Sequence, residues 1–458
     1  MVSGKNCGIE FKDSIPMFTS EVLHGHIKDM DFSSPFWVAY SGGLDSHVLL
    51  HSLAQLRLSY PGLFIKAIHV HHSLSLNATQ WSQHCQQICA ALAIECVVRK
   101  IEKRVYVSEA NLEAVARYHR YQIFSEVLPE KAYLFTAHHC DDQAETLLLR
   151  LLRGSGIKGL SAMSFQRPLG HGTLVRPFLH VARQSLAAYA HREKLIWVED
   201  DSNECKRFDR NYLRHEIMPL LKRRWPAAST ILSKTADHCR ENDQLLQEIT
   251  LADYSSVKDP LTNRLSIPAL KKLSDIRQAH VLRYWFDLWA LPIPSSRKLS
   301  QLIQDSLYSR QDAAPLLRMG SSELRRFKHY LYMVPVLAPH DVQVRISWDM
   351  KAALNLPSGI GILTPLDHQK ILPDHVTAVT VRFRQGGERF RPYGRVGSHP
   401  LKKLFQEWEI PFWLRDKIPL IYVDDTLIIV AGYAVAHDWV ACHGLSKKVL
   451  VEFKPGYS

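Results

Sequence analysis

Between Phe36 and roughly Trp225, short apolar runs alternate with longer stretches of helical period. The runs are PFWVAY (35–40), FIKAIHV (64–70), IECVVRK (94–100) and AYLFTAH (132–138), and the spacing predicts helices over 46–57, 78–92, 108–128 and 143–153. Strand-length runs separated by helix-length stretches specify βαβ units, and hence a parallel sheet with helices on both faces. From about Pro226 to Arg310 the helical period dominates, in ILSKTADHCRENDQLLQEI, IRQAHVLRYWFDLW and RKLSQLIQDSLYS. Beyond LRRFKHYLYMVPVLAP the pattern turns to short strands with prolines and glycines: VTAVTVRF (376–383), LIYV (420–423) and TLIIVAGYAV (426–435), with one helical piece, LKKLFQEW (401–408). The expected architecture is α/β: a parallel-sheet domain over 1–225, a mainly helical domain over 226–340 and a small α+β domain over 341–458.

Composition narrows the class. At roughly 150 residues per domain, 458 residues suit about three domains. With 46% hydrophobic and 22% charged residues the chain is neither disordered nor collagenous. The N-terminal MVSGKNCGIEFKDSIPMF lacks the apolar core of a secretory signal, and the apolar run Leu427 to Ala436 is about half a membrane span. Eight cysteines without paired spacing read as reduced thiols, so a cytoplasmic protein with no membrane partner is expected. Lys and Arg (57) exceed Asp and Glu (45) by 12, a surplus that suits a polyanionic partner.

Candidate chemistry begins at Ser41-Gly42-Gly43-Leu44-Asp45-Ser46, which follows a strand and opens a helix. Two glycines let the backbone turn tightly and bring N–H groups to an anion, while Ser41 and Ser46 add hydroxyls and the helix offers its positive end. His47 stands where a γ-phosphoryl transferase would place lysine, so a loop that holds a departing pyrophosphate fits better. Asp45 is the natural ligand for Mg²⁺. The bland alternative is a plain βα turn capped by Asp45 or Ser46. Strand, SGGLDS and helix together resemble the PP-loop ATP pyrophosphatases, which adenylate a carbonyl-type oxygen.

A second constellation is AHHCDDQAET (137–146), after another strand. Asp142 and Glu145 share a helical face, Asp141 points elsewhere, and His138 sits at the strand's C-terminal end, where open α/β sheets bind ligands. Asp142-x-x-Glu145 is also a capping-box pattern, which explains it without chemistry. HHCDDQAET, RLLRGSGIKGLSAM (150–163), RPFL (176–179), WVEDDSN (197–203) and RNYLRHEIMPLL (210–221) occur in the order found in the tRNA(Ile)-lysidine synthetase family, which the chain resembles along about its whole length. The stretch from VRFRQGGERFRPYGR through TLIIVAGYAV is similar to that family's last domain.

That resemblance implies a reaction. ATP activates C2 of the wobble cytidine of tRNA(Ile) with a CAU anticodon, pyrophosphate leaves, and the ε-amine of free L-lysine displaces AMP to give lysidine. Carried over by motif, Ser41 to Ser46 hold ATP, with Asp45 near the metal and phosphates. His138, Asp142 and Glu145 line the place where cytidine and lysine meet, and Arg210, Asn211 and Arg214 steady phosphate or developing charge. The resemblance also allows a homodimer. One departure stands out: after the second strand the family usually shows HxNHxLR, whereas this chain has His69-Val70-His71-His72-Ser73-Leu74-Ser75 and lacks the arginine, so no contact is assigned there.

Basic positions follow. Glu113-x-x-x-Arg117-x-x-Arg120-Tyr121 matches a family pattern that moves Arg117 and Arg120 from a solvated helix face toward the site rim or the tRNA. Lys158, behind two glycines, is either a phosphate contact or a surface residue. Arg382, Arg384, Arg389, Arg391 and Arg395 interleave with Phe383, Phe390 and Tyr393, ahead of Lys402 and Lys403. Such a cluster neutralises phosphates and stacks on bases. Two rivals remain: a tRNA sulfurtransferase, for which Cys140 is the one suspect thiol, and a non-catalytic RNA-binding protein.

Overall fold

A computed structural model describes residues 17–73, 77–102, 105, 112–199, 208–260, 262–309, 316–336, 339–366, 376–443 and 451–456, without the side chains of 113, 316 and 441–443. Leu74 and Ser75 of the histidine run, and all of DDSN in WVEDDSN, lie outside the described residues. The chain divides into two compact units, Met1–Gln247 and Glu248–Ser458.

In the first unit, β1 (Phe36–Ala39), α2 (Leu44–Ser59), β2 (Ile65–His71), α3 (Ala78–Ala91), β3 (Glu95–Lys100), α4 (Leu112–Val127), β4 (Tyr133–Phe135) and α5 (Cys140–Leu152) follow the small helix α1 (Ser20–Ile27). The elements come where the apolar runs place them. A short helix α6 (Ile157–Leu160) and a hairpin, β5 (Gln166–Leu169) and β6 (Gly172–Val175), come next, and the hairpin is too short and polar for the pattern to announce. Then come α7 (Arg183–Arg192), α8 (Asp209–Tyr212), a π turn (Leu213–Ile217), α9 (Met218–Arg224) and α10 (Ala228–Val257), which contains the point of division.

The six strands lie in the order β3-β2-β1-β4-β6-β5, all parallel except β5, which runs against β6. Alternation along β1 divides the core: Phe36 and Val38 pack on one face with Leu49, Leu53, Phe135 and Phe178, while Trp37 packs on the other with Ile68, Phe124, Leu134 and Leu174. From β1 the chain adds β2 and β3 on one side and then returns to place β4 on the other. The order therefore reverses between β1 and β4, and a crevice opens at the C-terminal ends of those two strands. SGGLDS leaves β1 there, and AHHCDD leaves β4 there.

The second unit holds α11 (Ile267–Leu270), α12 (Asp275–Leu288) and α13 (Ser296–Ile303), which pack Val281, Leu282, Trp285, Leu299 and Leu302. Against these helices lies an antiparallel sheet of β7 (Leu265–Ser266), β8 (Leu316–Met319), β9 (Ser322–Phe327) and β10 (Tyr330–Pro335), in the order β7-β10-β9-β8. The expected helical stretch thus carries a sheet as well. Buried Ser322, Glu323 and Arg326 on β9 disguise its alternation. A separate five-stranded sheet contains Val379–Arg382, Leu420–Val423 and Thr426–Val430, and Leu401–Glu407 is helical, as the pattern predicts. Among the described residues no helix is long and apolar enough to cross a membrane.

Phe135 is fully buried at the strand that closes the crevice, so Phe135→Ala is expected to cost about 3–5 kcal/mol in urea unfolding. A loss below about 1 kcal/mol would show that β4 does not anchor this sheet.

Candidate active site

The loop after β1 owes its shape to Gly42, whose φ is +87°. A Cβ there would also stand 2.9 Å from the Cys85 Sγ, so both conformation and space call for glycine. The Gly42 carbonyl accepts from the Val198 N–H at 2.9 Å. Inside the turn, the Ser46 hydroxyl donates to the Gly43 carbonyl (3.0 Å), accepts from the Ser41 N–H (3.2 Å) and lies 3.0 Å from the Ser41 hydroxyl. Gly43 is the N-cap of α2 and supplies no capping side chain. Asp45 and Ser46 are thus first-turn residues and not caps, and the positive end of a 16-residue helix faces outward beside two serines.

Asp45 links this loop to α5. Its Oδ2 lies 3.6 Å from His139 Nε2 and 3.8 Å from Arg183 Nε, while its Oδ1 is buried without a hydrogen-bond partner. An orphaned carboxylate oxygen at a helix N-terminus suits a hard cation. Among the described residues no group of three or more His, Cys, Asp or Glu is placed to hold a metal. A Mg²⁺ at Asp45 would therefore draw its remaining ligands from nucleotide oxygens and water, as Mg²⁺ commonly does.

The acidic cluster is built by the first turn of α5. His139 is the N-cap: its Nδ1 accepts from the Asp142 N–H (3.4 Å), and Asp142 Oδ2 accepts from the His139 N–H (3.0 Å). The capping box thus joins His139 to Asp142, which leaves Glu145 available for another partner. Arg210 donates to Asp142 Oδ1 (2.7 Å) and Glu145 Oε2 (2.9 Å). Arg214 donates to Glu145 Oε1 (2.7 Å), Glu145 Oε2 (2.8 Å) and Asp142 Oδ1 (2.9 Å). Asp142 and Glu145 are 8% and 2% exposed, so two carboxylates and two guanidiniums meet almost out of water. Burial alone would raise the Asp142 carboxyl, but His139, Arg210, His138 and Arg214 hold it well below the usual range. The same carboxylates raise Arg214 against its burial.

The two histidines divide. Burial pushes His138 down to about 3, with Arg176, Arg210 and Arg117 adding to the effect and Asp142 opposing it, so the ring is neutral at working pH. Its Nδ1 sits 2.9 Å from the Thr136 hydroxyl. His139 bridges instead, with Nε2 3.4 Å from Asp142 Oδ2 as well as near Asp45. Burial would lower its titration point, but Asp142, Asp45 and Asp141 outweigh that and raise it.

Asp141 does point elsewhere, and it acts as a clamp. Its carboxylate takes Lys222 of α9, the Ser229 hydroxyl of α10 and the Arg183 N–H (3.3 Å) that opens α7. Because α8, the π turn and α9 are continuous, holding Lys222 fixes the rod that carries Arg210 and Arg214. The Cys140 thiol is buried and pushed up to about 11, chiefly by burial, which disfavours the nucleophile a sulfurtransferase would need.

Other expected positions lie apart from this cluster or at its border. Asn211 is half-buried on α8, and Lys158 is exposed on α6. Arg117 and Arg120 lie half-buried on α4, next to Tyr121. In the second unit Arg382 pairs with Asp425 (3.0 Å), Arg384 with Asp416 (3.0 Å), Arg391 with Asp438 (3.2 Å) and Arg395 with Glu407 (2.5 Å). Much of that cluster's charge is thus met by neighbouring carboxylates, whereas Arg389 donates to the Ser398 carbonyl (2.6 Å). His139, Asp141, Arg183 and Lys222 carry contacts that sequence reasoning did not assign. For the first two the signal was adjacency alone.

Comparison with known proteins accords with this geometry. A profile of the PP-loop domain matches residues 19–221, one of the TilS substrate binding domain matches 265–332, and one of the TilS substrate C-terminal domain matches 379–449. The chain is 43% identical to the tRNA(Ile)-lysidine synthase of Coxiella burnetii over 436 residues, covering 93% of this chain and 94% of that protein. It is also 43% identical to the one from Serratia proteamaculans, covering 87% and 91%. The corresponding protein of Legionella pneumophila strain Lens is 38% identical, with 88% and 94% covered. With such identity over nearly its full length, the chain belongs to the tRNA(Ile)-lysidine synthase family.

Proposed function

We propose that this enzyme uses ATP to adenylate C2 of the wobble cytidine in tRNA(Ile) bearing a CAU anticodon, and then joins free L-lysine to that carbon, releasing AMP. One observation carries the reading: the carboxylate beside the glycine turn and the carboxylate of the arginine network flank the same imidazole edge, that of His139. A nucleotide on the turn and an amine on the network would therefore meet in one crevice.

The roles divide by chemistry. The first-turn N–H groups of α2 and the hydroxyls of Ser41 and Ser46 suit the phosphates, and Asp45 would hold a Mg²⁺, which would supply positive charge to the pyrophosphate. Asp142 and Glu145, held in place by their arginines, present carboxylate oxygens that suit an ammonium. Arg210 and Arg214 leave the pair balanced, which keeps the amine from being bound so tightly that it cannot shed a proton and attack. His138, held neutral, can accept a hydrogen bond beside the pyrimidine without adding charge.

Incubation with tRNA(Ile) and labelled ATP is expected to release AMP at a rate that depends on added lysine. Dependence on a sulfur donor instead, or no AMP at all, would overturn the reading. Asp45→Asn is expected to lower AMP formation by roughly 100-fold or more. RNA affinity should hold within about twofold, because Asp45 faces the nucleotide and not the RNA backbone.

The Asp141 clamp gives a separate expectation. Lys222→Met frees the rod that carries both arginines and should lower kcat/KM for lysine by roughly 10-fold or more, since small misplacements are costly. The KM for ATP should move less than about twofold. Equal losses for lysine and ATP, in steady-state kinetics, would show that the clamp serves stability alone.

A further inference from the structure

Outside the acidic network the first unit gathers a second set of charges, all of one sign. Tyr121 of α4 lies beneath two guanidiniums, with Arg117 Cζ 5.1 Å and Arg167 Cζ 5.2 Å from its ring centre. Arg176 lies near enough to the same phenol for its charge to act on it. Arg176 is 4% exposed; it donates to the Ser164 carbonyl (2.7 Å), yet its Nε is buried without a partner. Among the described residues none of Arg117, Arg167 and Arg176 has a carboxylate within ion-pair distance. Arg120 adds a further charge nearby, and the four arginines together hold the phenol below its ordinary titration range against the effect of burial.

Like charges packed at a half-buried ring repel one another unless an anion joins them. Topology puts this cluster beside the reaction crevice. β4 and β6 are parallel neighbours with Phe135 opposite Val175, so Arg176 leaves the sheet level with Thr136, whose hydroxyl holds His138. Arg117 and Arg176 are close enough to His138 to lower its basicity.

We infer that Arg117, Arg167, Arg176 and Tyr121 form a subsite for one backbone phosphate of the RNA, next to the reacting nucleotide. This rests on the lysidine-forming reading above. The phosphodiester would accept from the guanidiniums, and fixing it would fix where the flanking base is presented. Arg167 is exposed and reaches over the ring from β5, so it can be changed without disturbing the core.

The test uses the full-length enzyme with anticodon stem-loop RNAs carrying a neutral methylphosphonate at one position at a time around the wobble cytidine. Arg167→Gln is expected to weaken binding of the unmodified RNA by roughly 5- to 10-fold and to reduce the salt slope by about one. One methylphosphonate position should weaken the normal enzyme clearly more than it weakens Arg167→Gln, which has already lost one of the three guanidiniums, while every other position should affect both proteins alike. Unchanged RNA affinity in Arg167→Gln, or additive losses at all positions, would overturn the inference. So would a rise in KM for ATP with RNA affinity intact, which would assign the anion to the nucleotide. The family reading is tested separately by lysine-dependent AMP release from the unaltered enzyme. If that release occurs and the phosphate cycle fails, the subsite alone is lost.

Discussion

Two carboxylates at the start of α5 are nearly out of water, and two guanidiniums from a helical rod at least 65 residues further along the chain keep them there. Removing either side of such an array leaves a buried charge unanswered, at about 3–5 kcal/mol per broken pair. The array therefore dictates much of the first unit. The rod must lie across the crevice, Asp141 must hold its far end through Lys222, and α5 must begin at a cap that directs Asp142 inward. An interior assembled from charge needs this many supports, and few surface ion pairs would reward them.

The sheet supplies the other half of the arrangement. Its strand order reverses between β1 and β4, so the glycine turn and the acidic cap emerge side by side although about 90 residues separate them in sequence. His139 closes the remaining gap. One ring nitrogen serves the helix cap, and the other faces the carboxylates of both Asp45 and Asp142. The proposed two-stage reaction, first at a phosphate and then at an amine, would be served by such a fixed link between the two carboxylates.

Much of this was legible in the chain. The four parallel strands, the helices between them and the turn at Gly42 follow from apolar periodicity and from glycine placement. Asp142 and Glu145 share a face because helices have a period of 3.6 residues. Long-range partners were harder to see. Nothing local in Arg176 or Arg167 marks them as neighbours of Tyr121, since the hairpin that delivers them is short and polar. Likewise, that His139 and not His138 links Asp45 to Asp142 depends on where the cap of α5 falls, a one-residue matter that periodicity does not resolve. The sheet around β9 was hidden because it buries Glu323 and Arg326 where an apolar residue would have shown the alternation. The C-terminal arginines looked like open charge, and only the structure shows how many have a carboxylate beside them.

The central claim is that the glycine turn and the carboxylate–guanidinium array serve one reaction. The most direct measurement is a crystal structure with a non-hydrolysable ATP analogue, free lysine and the anticodon stem-loop bound together. The account predicts the phosphates against the first turn of α2, and the lysine ammonium within hydrogen-bond reach of Asp142 or Glu145, facing the pyrimidine. A nucleotide seated away from Gly42 to Ser46, or a lysine held by groups other than those two carboxylates, would contradict it.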